Sequence, residues 1–344
     1  MAAYISFQPS DFFNPVTFVG NQGGVPTTIT GVGFQPDFCW FKNREVANDY
    51  WLFDSVRGVE KYIECDTTQI ETTDAQGLQS FNADGFTVGD ANPINHNLKD
   101  IICWNWKAGT TTGLTGGTIT PDAYSINTTS GFGMYKYGGN STSGATIAHG
   151  LGKTPKMIFI KNLDIADEWI VYHNSIGNTK YMILSTTAAQ TTASNIWNDT
   201  SPTSTVFSLG NTGVVNTGND YMAYVWADVK GYSKFGDYTG NGNADGTFVY
   251  TGFRPAWILI KRTNGTLNWM LYDSKRTGIN QENAYVEPNT TQEEYLTVDI
   301  DILSNGFKIR DTATSVNGTP DPYAYAAFAE FPIVSSNDVP VVAR

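Results

Sequence analysis

Short apolar and aromatic runs alternate along the chain with clusters of Gly, Asn, Asp, Ser and Thr. Phe38-Cys39-Trp40-Phe41, Met157-Ile158-Phe159-Ile160 and Trp257-Ile258-Leu259-Ile260 are uninterrupted apolar runs that end on Lys42, Lys161 and Lys261. Continuous runs of this length predict strands covered on both faces. Segments such as Tyr50-Trp51-Leu52-Phe53-Asp54 are dense in the aromatic and branched residues that favour pleated surfaces. Asp84-Gly85, Asn264-Gly265, Asn305-Gly306 and Asn317-Gly318 fall between runs as hairpin-type turns. No window of helix length combines 3.6-residue periodicity with caps, so the prediction is an all-β chain.

The runs recur in register. Six residues separate Pro36 from Lys42, Pro155 from Lys161 and Pro255 from Lys261. Aromatics follow at Tyr50, Trp169 and Trp269, and again at Phe53, Tyr172 and Tyr272. Upstream, an aromatic-x-Gly-Asn turn appears as Phe18-Val19-Gly20-Asn21, Tyr137-Gly138-Gly139-Asn140 and Tyr238-Thr239-Gly240-Asn241. Downstream stand Phe86, Phe207 and Phe307, and each copy closes on an aromatic-rich strand. The expected architecture is three tandem antiparallel β-sandwich or jelly-roll-like modules of about 100 residues each. The expected boundaries are an N-terminal arm plus the first repeat over 1–107 and a Thr/Gly-rich linker over 108–131. The second repeat follows over 132–228, the third over 229–331, and a polar tail over 332–344. Each unit is expected to bury its own core, as a bead on a string. The four-residue joint Asp228-Val229-Lys230-Gly231 is expected to hold the second and third beads as a rigid pair.

Composition narrows the function classes. Charged residues make up 16% of the 344 residues, the net charge is −12, and no basic run occurs. A sequence-independent nucleic-acid binder needs clustered Lys and Arg against phosphates, so that class is excluded. No apolar stretch approaches the length that spans a bilayer as a helix. The start, Met1 to Pro9, lacks the basic and apolar regions of a secretory signal. Cys39, Cys65 and Cys103 are an odd, widely spaced set, read as apolar fillers in a chain made in a reducing cytoplasm.

Candidate chemistry is sparse, and no catalytic, cofactor or metal site is expected. His96, His149 and His173 read as turn residues, with His173 aligned to Asp54 and Asp273. Gly152-Lys153-Thr154 resembles the end of a phosphate loop, but Ile147 stands where the motif needs Gly, and Pro155 forbids the following helix. Asn241-Gly242-Asn243-Ala244-Asp245-Gly246 begins like a calcium loop, yet Gly252 occupies the position of the bidentate Glu, and a tight turn is the simpler expectation. Asp54 with Arg57 and Asp273 with Arg276 read as local pairs, with a carboxylate or phosphate clamp as the alternative. Lys42, Lys161 and Lys261, at strand ends, are expected to be solvated. Candidate host or glycan contacts are Trp197, Asn198 and Asp199 on one loop, with Asn280, Asn283 and Asn289 in an insertion of the third unit. Tyr4, Phe7, Phe12 and Phe13 form an aromatic N-terminal arm, either a strand completing the first unit or an anchor on a neighbouring protein.

The repeated Gly-Phe-x-Pro-apolar-Lys segments, Trp51-Leu52-Phe53-Asp54-Ser55-Val56-Arg57-Gly58, Ser80-Phe81-Asn82-Ala83-Asp84-Gly85-Phe86 and Ala326-Ala327-Phe328-Ala329-Glu330-Phe331-Pro332 resemble a family of uncharacterised repeat-containing virion proteins of marine tailed bacteriophages. The resemblance runs from Tyr4 to Pro340. It implies a non-enzymatic virion structural protein, first a tail fibre or spike that contacts the host surface and forms a homotrimer. The alternative is a capsid decoration or head-fibre protein attached through its N-terminal arm. Expected partners are other virion proteins and a host glycan or protein, with no nucleic acid and no membrane insertion. A glycan depolymerase is the enzymatic rival; it would need two facing carboxylates roughly 5 to 9.5 Å apart.

Overall fold

The computed structural model describes residues 5–277 and 280–332. The apolar runs become central strands: Phe38–Asn43, Pro155–Asn162 and Phe253–Arg262. Each pairs on one side with a closing strand, respectively Asp100–Trp106, Asp220–Ala227 and Pro322–Pro332, and on the other with Trp51–Asp54, Ile170–His173 and Met270–Asp273. The closing strands pair outward with Phe13–Val19, Phe132–Gly138 and Ser233–Thr239. One pairing order is thus built three times, and every ladder between strands is antiparallel. The linker adds Ala123–Asn127 to the edge of the second sheet. Helices among the described residues are single turns of three or four residues.

Strand alternation explains why the central runs are continuously apolar. In the first unit Cys39 and Phe41, with Phe53 from the neighbouring strand, point into a local core that Phe86 and Val88 close from the smaller sheet Thr27–Thr30, Gly85–Val88 and Leu78–Asn82. The intervening Phe38 and Trp40 point the other way, into a second core. The same division puts Ile158 and Ile160 in the second unit's own core, and Ile258 and Ile260 in the third's. Met157, Phe159, Trp257 and Leu259 join Phe38 and Trp40 in one cluster.

That shared cluster corrects the beads-on-a-string expectation. Trp40 and Trp257 ring centroids lie 6.2 Å apart, Phe38 and Tyr224 4.6 Å, and Trp106 meets Trp257 edge-on at 5.7 Å. Each sheet has one face on its own core and one on the common core, which only three sheets together can fill. The arm belongs to this packing: Phe13 stacks on Phe328 at 5.3 Å, while Phe7 and Phe12 meet Tyr232 edge-on at 5.6 and 6.4 Å. Phe13 opens the strand that completes the first sheet. Phe13 is buried and follows the strand-completing alternative, Phe7 and Phe12 pack half-buried against the common core, and Tyr4 lies outside the described residues.

The aromatic-x-Gly-Asn turns have one cause. Asn95, Asn216 and Asn317 are buried, and their side-chain oxygens accept the amides of Asn21, Asn140 and Asn241 at 3.0, 2.8 and 2.8 Å. Their Nδ2 groups donate to Gly89, Gly210 and Asp311 carbonyls at 2.8, 2.9 and 2.7 Å. A Cβ on Gly20, Gly139 or Gly240 would lie 2.1, 1.9 or 2.3 Å from the backbone oxygens of His96, Thr217 or Gly318. Close backbone approach therefore requires glycine at each turn.

Candidate functional site

The alternation that sends Phe38 and Trp40 to the common core sends Lys42 there too, and Lys161 and Lys261 follow in their strands. All three lysines are fully buried, which corrects the expectation that they are solvated. Each donates to a carbonyl of a neighbouring unit: Lys161 Nζ to Thr68 at 2.9 Å, Lys261 Nζ to Thr187 at 3.0 Å and Lys42 Nζ to Thr291 at 2.8 Å. Each also donates to its own following loop, at Asp167, Leu267 and Asn48. Burial pushes all three ammonium groups down to about 8. The second unit thus reaches the first, the third reaches the second, and the first reaches the third, so the seams close a cycle.

Other groups follow the same cycle. Trp169 Nε1 donates to Glu64 O at 2.6 Å and Trp269 Nε1 to Ile183 O at 2.9 Å. Asp54 Oδ2 accepts Tyr224 OH at 2.6 Å, and Asp273 Oδ2 accepts Trp104 Nε1 at 3.0 Å. In the second unit His173 takes the place of these aspartates, with Nε2 3.0 Å from Tyr325 O. Burial drives this imidazole down to about 4, so it sits neutral at the seam. Backbone bonds match as well: Glu71 N to Leu163 O, Gln190 N to Thr263 O and Glu294 N to Arg44 O, at 3.1, 2.8 and 2.9 Å.

The two Asp–Arg pairs are parts of these seams. Arg57 and Arg276 have fully buried side chains; their Nε atoms donate to Asp54 and Asp273 at 2.5 and 2.7 Å. Their NH2 groups donate to Leu52 and Leu271 carbonyls, both inside the same unit. Arg276 and Arg44 also share Glu294, each at 3.0 Å, across the seam between third and first units. With their donors occupied in this way, the local-pair reading describes them and the external clamp does not. The first unit adds a buried carboxyl near that seam. Asp66 accepts Tyr50 N at 3.1 Å, while burial and then the charge of Asp49 raise its carboxyl to about 8. Its counterparts are neutral: Ser185 bonds Glu168, and Asn289 Nδ2 donates to Asn268 at 2.8 Å.

The predicted contact residues scatter. Trp197 is buried, edge-on to Tyr172, with Nε1 donating to Lys180 O at 3.1 Å, so its face is not available to a sugar. Asn289 is buried and accepts Trp269 N at 2.9 Å. Asn198 is half-buried and accepts Ser143 Oγ at 2.8 Å, and Asn283 is also half-buried. Asp199 and Asn280 are exposed, but both amide atoms of Asn280 are bonded to the backbone of Ile302. In the loop resembling a calcium site, Asn241 and Asn243 side-chain oxygens accept the Asn243 and Asp245 amides. Asp245 is paired with Lys308 at 2.6 Å and Arg310 at 3.4 Å, so the acidic ligand a cation would need already has two. No group of three His, Cys, Asp or Glu residues able to hold a metal occurs among the described residues. No helix among them is long and apolar enough to cross a membrane.

The seams were missed by sequence reasoning although their signal was present. A lysine in phase with the inward aromatics of its strand, repeated three times, is in the position of a buried residue. The structure therefore defines an all-β protein in which three like sheets close on a common aromatic core through buried polar seams. The chain belongs to the family described as "Domain of unknown function (DUF7483)", whose model matches residues 8–332. No curated protein matches the sequence.

Proposed function

We propose that the protein is a non-enzymatic structural component of a tailed-phage virion, a tail fibre or spike module that contacts the host surface. The closed cycle of seams carries this reading. Its most perturbed lysines and its inter-unit aspartates and histidine are committed to joining units, which suits a rigid particle component and leaves them unavailable to a substrate. The resemblance of the repeated motifs to virion proteins points the same way. Host contact is assigned to exposed loops, with Asp199 as a candidate. Phe13 is buried in the interior and Phe7 and Phe12 are half-buried against it, which supports the fibre reading over a capsid protein held by those rings. Because the cycle closes within one chain, we propose a monomer in solution, with any homotrimer forming only on the particle.

Immunogold labelling of virions with an antibody to this protein tests the placement, together with binding of the purified protein to host cells. Tail labelling and saturable cell binding are expected. Labelling of the head without cell binding would replace the fibre reading with capsid decoration. Release of reducing ends from host polysaccharide by the purified protein would overturn the non-enzymatic assignment.

A further inference from the structure

Each unit has a short strand at a sheet margin: Thr27–Thr30 and Ala145–Ala148 in the smaller sheets of the first two units, and Phe248–Tyr250 at the end of the third unit's single eight-stranded sheet. They pair on one side with Gly85–Val88, Val206–Leu209 and Gly306–Ile309. In the second unit the linker covers the other side. The amides of Thr118 and Ile119 donate to Thr146 O at 2.8 and 2.9 Å, and Thr146 N donates back to Thr118 Oγ1 at 2.8 Å. Ile119 also bridges to Ile147 and is buried in the second unit's core.

The shared register, Ile147 opposite Phe207 and Val249 opposite Phe307, makes Phe248 the counterpart of Thr146. Ile309 N donates to Thr247 O at 3.1 Å and Thr251 N to Asn305 O at 3.0 Å, so alternate residues 247, 249 and 251 face the paired strand. The backbone groups of Phe248 and Tyr250 are thereby directed to the outer edge, where they meet no partner among the described residues. Exposed edge strands of this kind accept further strands. The third unit differs from the others in what flanks the edge. Phe248 is 43% and Tyr250 56% exposed, where the first unit has Thr28 and Thr30 and the second has Thr146 and Ala148.

We propose that the edge Phe248–Tyr250 is a docking site for an extended segment of another polypeptide, which adds to the third unit as residues 117–119 add to the second. The covered edge in the same chain supplies the recognition chemistry. A backbone amide of the partner meets the Phe248 carbonyl, a Thr or Ser hydroxyl accepts the Phe248 amide, and the next residue is branched and apolar. Main-chain bonds give the attachment, and the two aromatic side chains supply apolar surface to bury. This site is independent of the tail-fibre reading and would serve a module on head or tail alike.

The probe is a synthetic peptide of residues 113–121, titrated into the isotope-labelled full-length protein while backbone amide resonances are followed. Saturating shifts at Phe248 and Tyr250 are expected. A peptide with Thr118 and Ile119 both changed to Gly is expected to leave them unmoved. The double variant Phe248→Thr, Tyr250→Thr, which restores the first unit's residues, is expected to weaken binding about tenfold. Absence of shifts at millimolar peptide would overturn the proposal, as would equal shifts at Thr28 and Thr30. Movement of the Phe248 and Tyr250 amides on truncation after Pro332, without peptide, would identify the chain's own tail as the occupant and also overturn it.

Discussion

A lysine with no carboxylate in contact is an unusual residue to bury, and Lys42, Lys161 and Lys261 do it at three seams. Carbonyl oxygens accept their protons, but desolvation still weakens each ammonium, to about 8. In the unfolded chain a lysine holds its proton to about pH 10.4. Between those values the unfolded state binds more protons at these groups than the folded one, so their contribution to stability rises with pH from about 8 to about 10. Below about 8 the cost of holding the charge inside is present in full. The buried thiols of Cys65 and Cys103, pushed up by burial, act in the opposite sense at the alkaline end, so the lysine effect is read as a difference. Between pH 7.5 and 9.5 the denaturant midpoint of Lys261→Met should gain less, or fall more, than that of the natural protein. His173 gives the matching acid-side effect. Its imidazole is lowered from about 6.5 to about 4, so the unfolded state takes the proton first and stability falls as pH drops through that interval. His173→Gln, which keeps a donor toward Tyr325 O, should melt with a smaller shift between pH 7 and 5 than the natural protein.

At the scale of elements, the turn after each outer strand depends on one glycine and one buried asparagine. Gly139→Ala would place a methyl 1.9 Å from Thr217 O, against backbone that cannot rotate away. Overpacking of this kind should cost roughly 3 kcal/mol, measured by chemical denaturation. Asn216→Ala leaves the Asn140 amide and the Gly210 and Thr142 carbonyls without their partner. A loss of about 3 kcal/mol is expected, from several buried groups each stranded at 1–3 kcal/mol. These positions were legible as a recurring Gly-Asn pair, because a backbone constraint is local and leaves its mark on nearby residues. Their distant partners Asn95, Asn216 and Asn317 were not, since an asparagine in a loop reads the same whether it is exposed or buried.

For the whole molecule, the common core predicts cooperative behaviour. Trp40, Trp106, Trp226 and Trp257 come from three units and lie within 6.5 Å of one another in successive ring contacts. Beads with separate cores would unfold in separate transitions. Here near-ultraviolet circular dichroism and backbone amide exchange should report one coincident transition. Truncation after Ala227, which deletes the third unit, should expose the inward faces of Trp40, Trp106 and Trp226. The remaining two units should bind a hydrophobic dye and lack a sharp melting transition. A fragment that melts cooperatively would show that the cores are separable after all.

The alternation of apolar residues determined the all-β class, and the spacing of prolines, lysines and aromatics marked the recurrence of one strand pattern. Both are local: a pleated strand needs its side chains in phase, and a turn needs its glycine. The continuous runs even recorded that each central strand is covered twice. They did not record by what, because Phe38 and Trp40 satisfy a private second layer as well as a shared one. Only the tertiary structure decided that the second cover is the neighbouring units, that Lys42, Lys161 and Lys261 bridge to them, and that Trp197 and Phe13 face inward. Those outcomes depend on residues far apart in the chain meeting at distances of a hydrogen bond or a ring contact, and no pattern within a single strand encodes its partner.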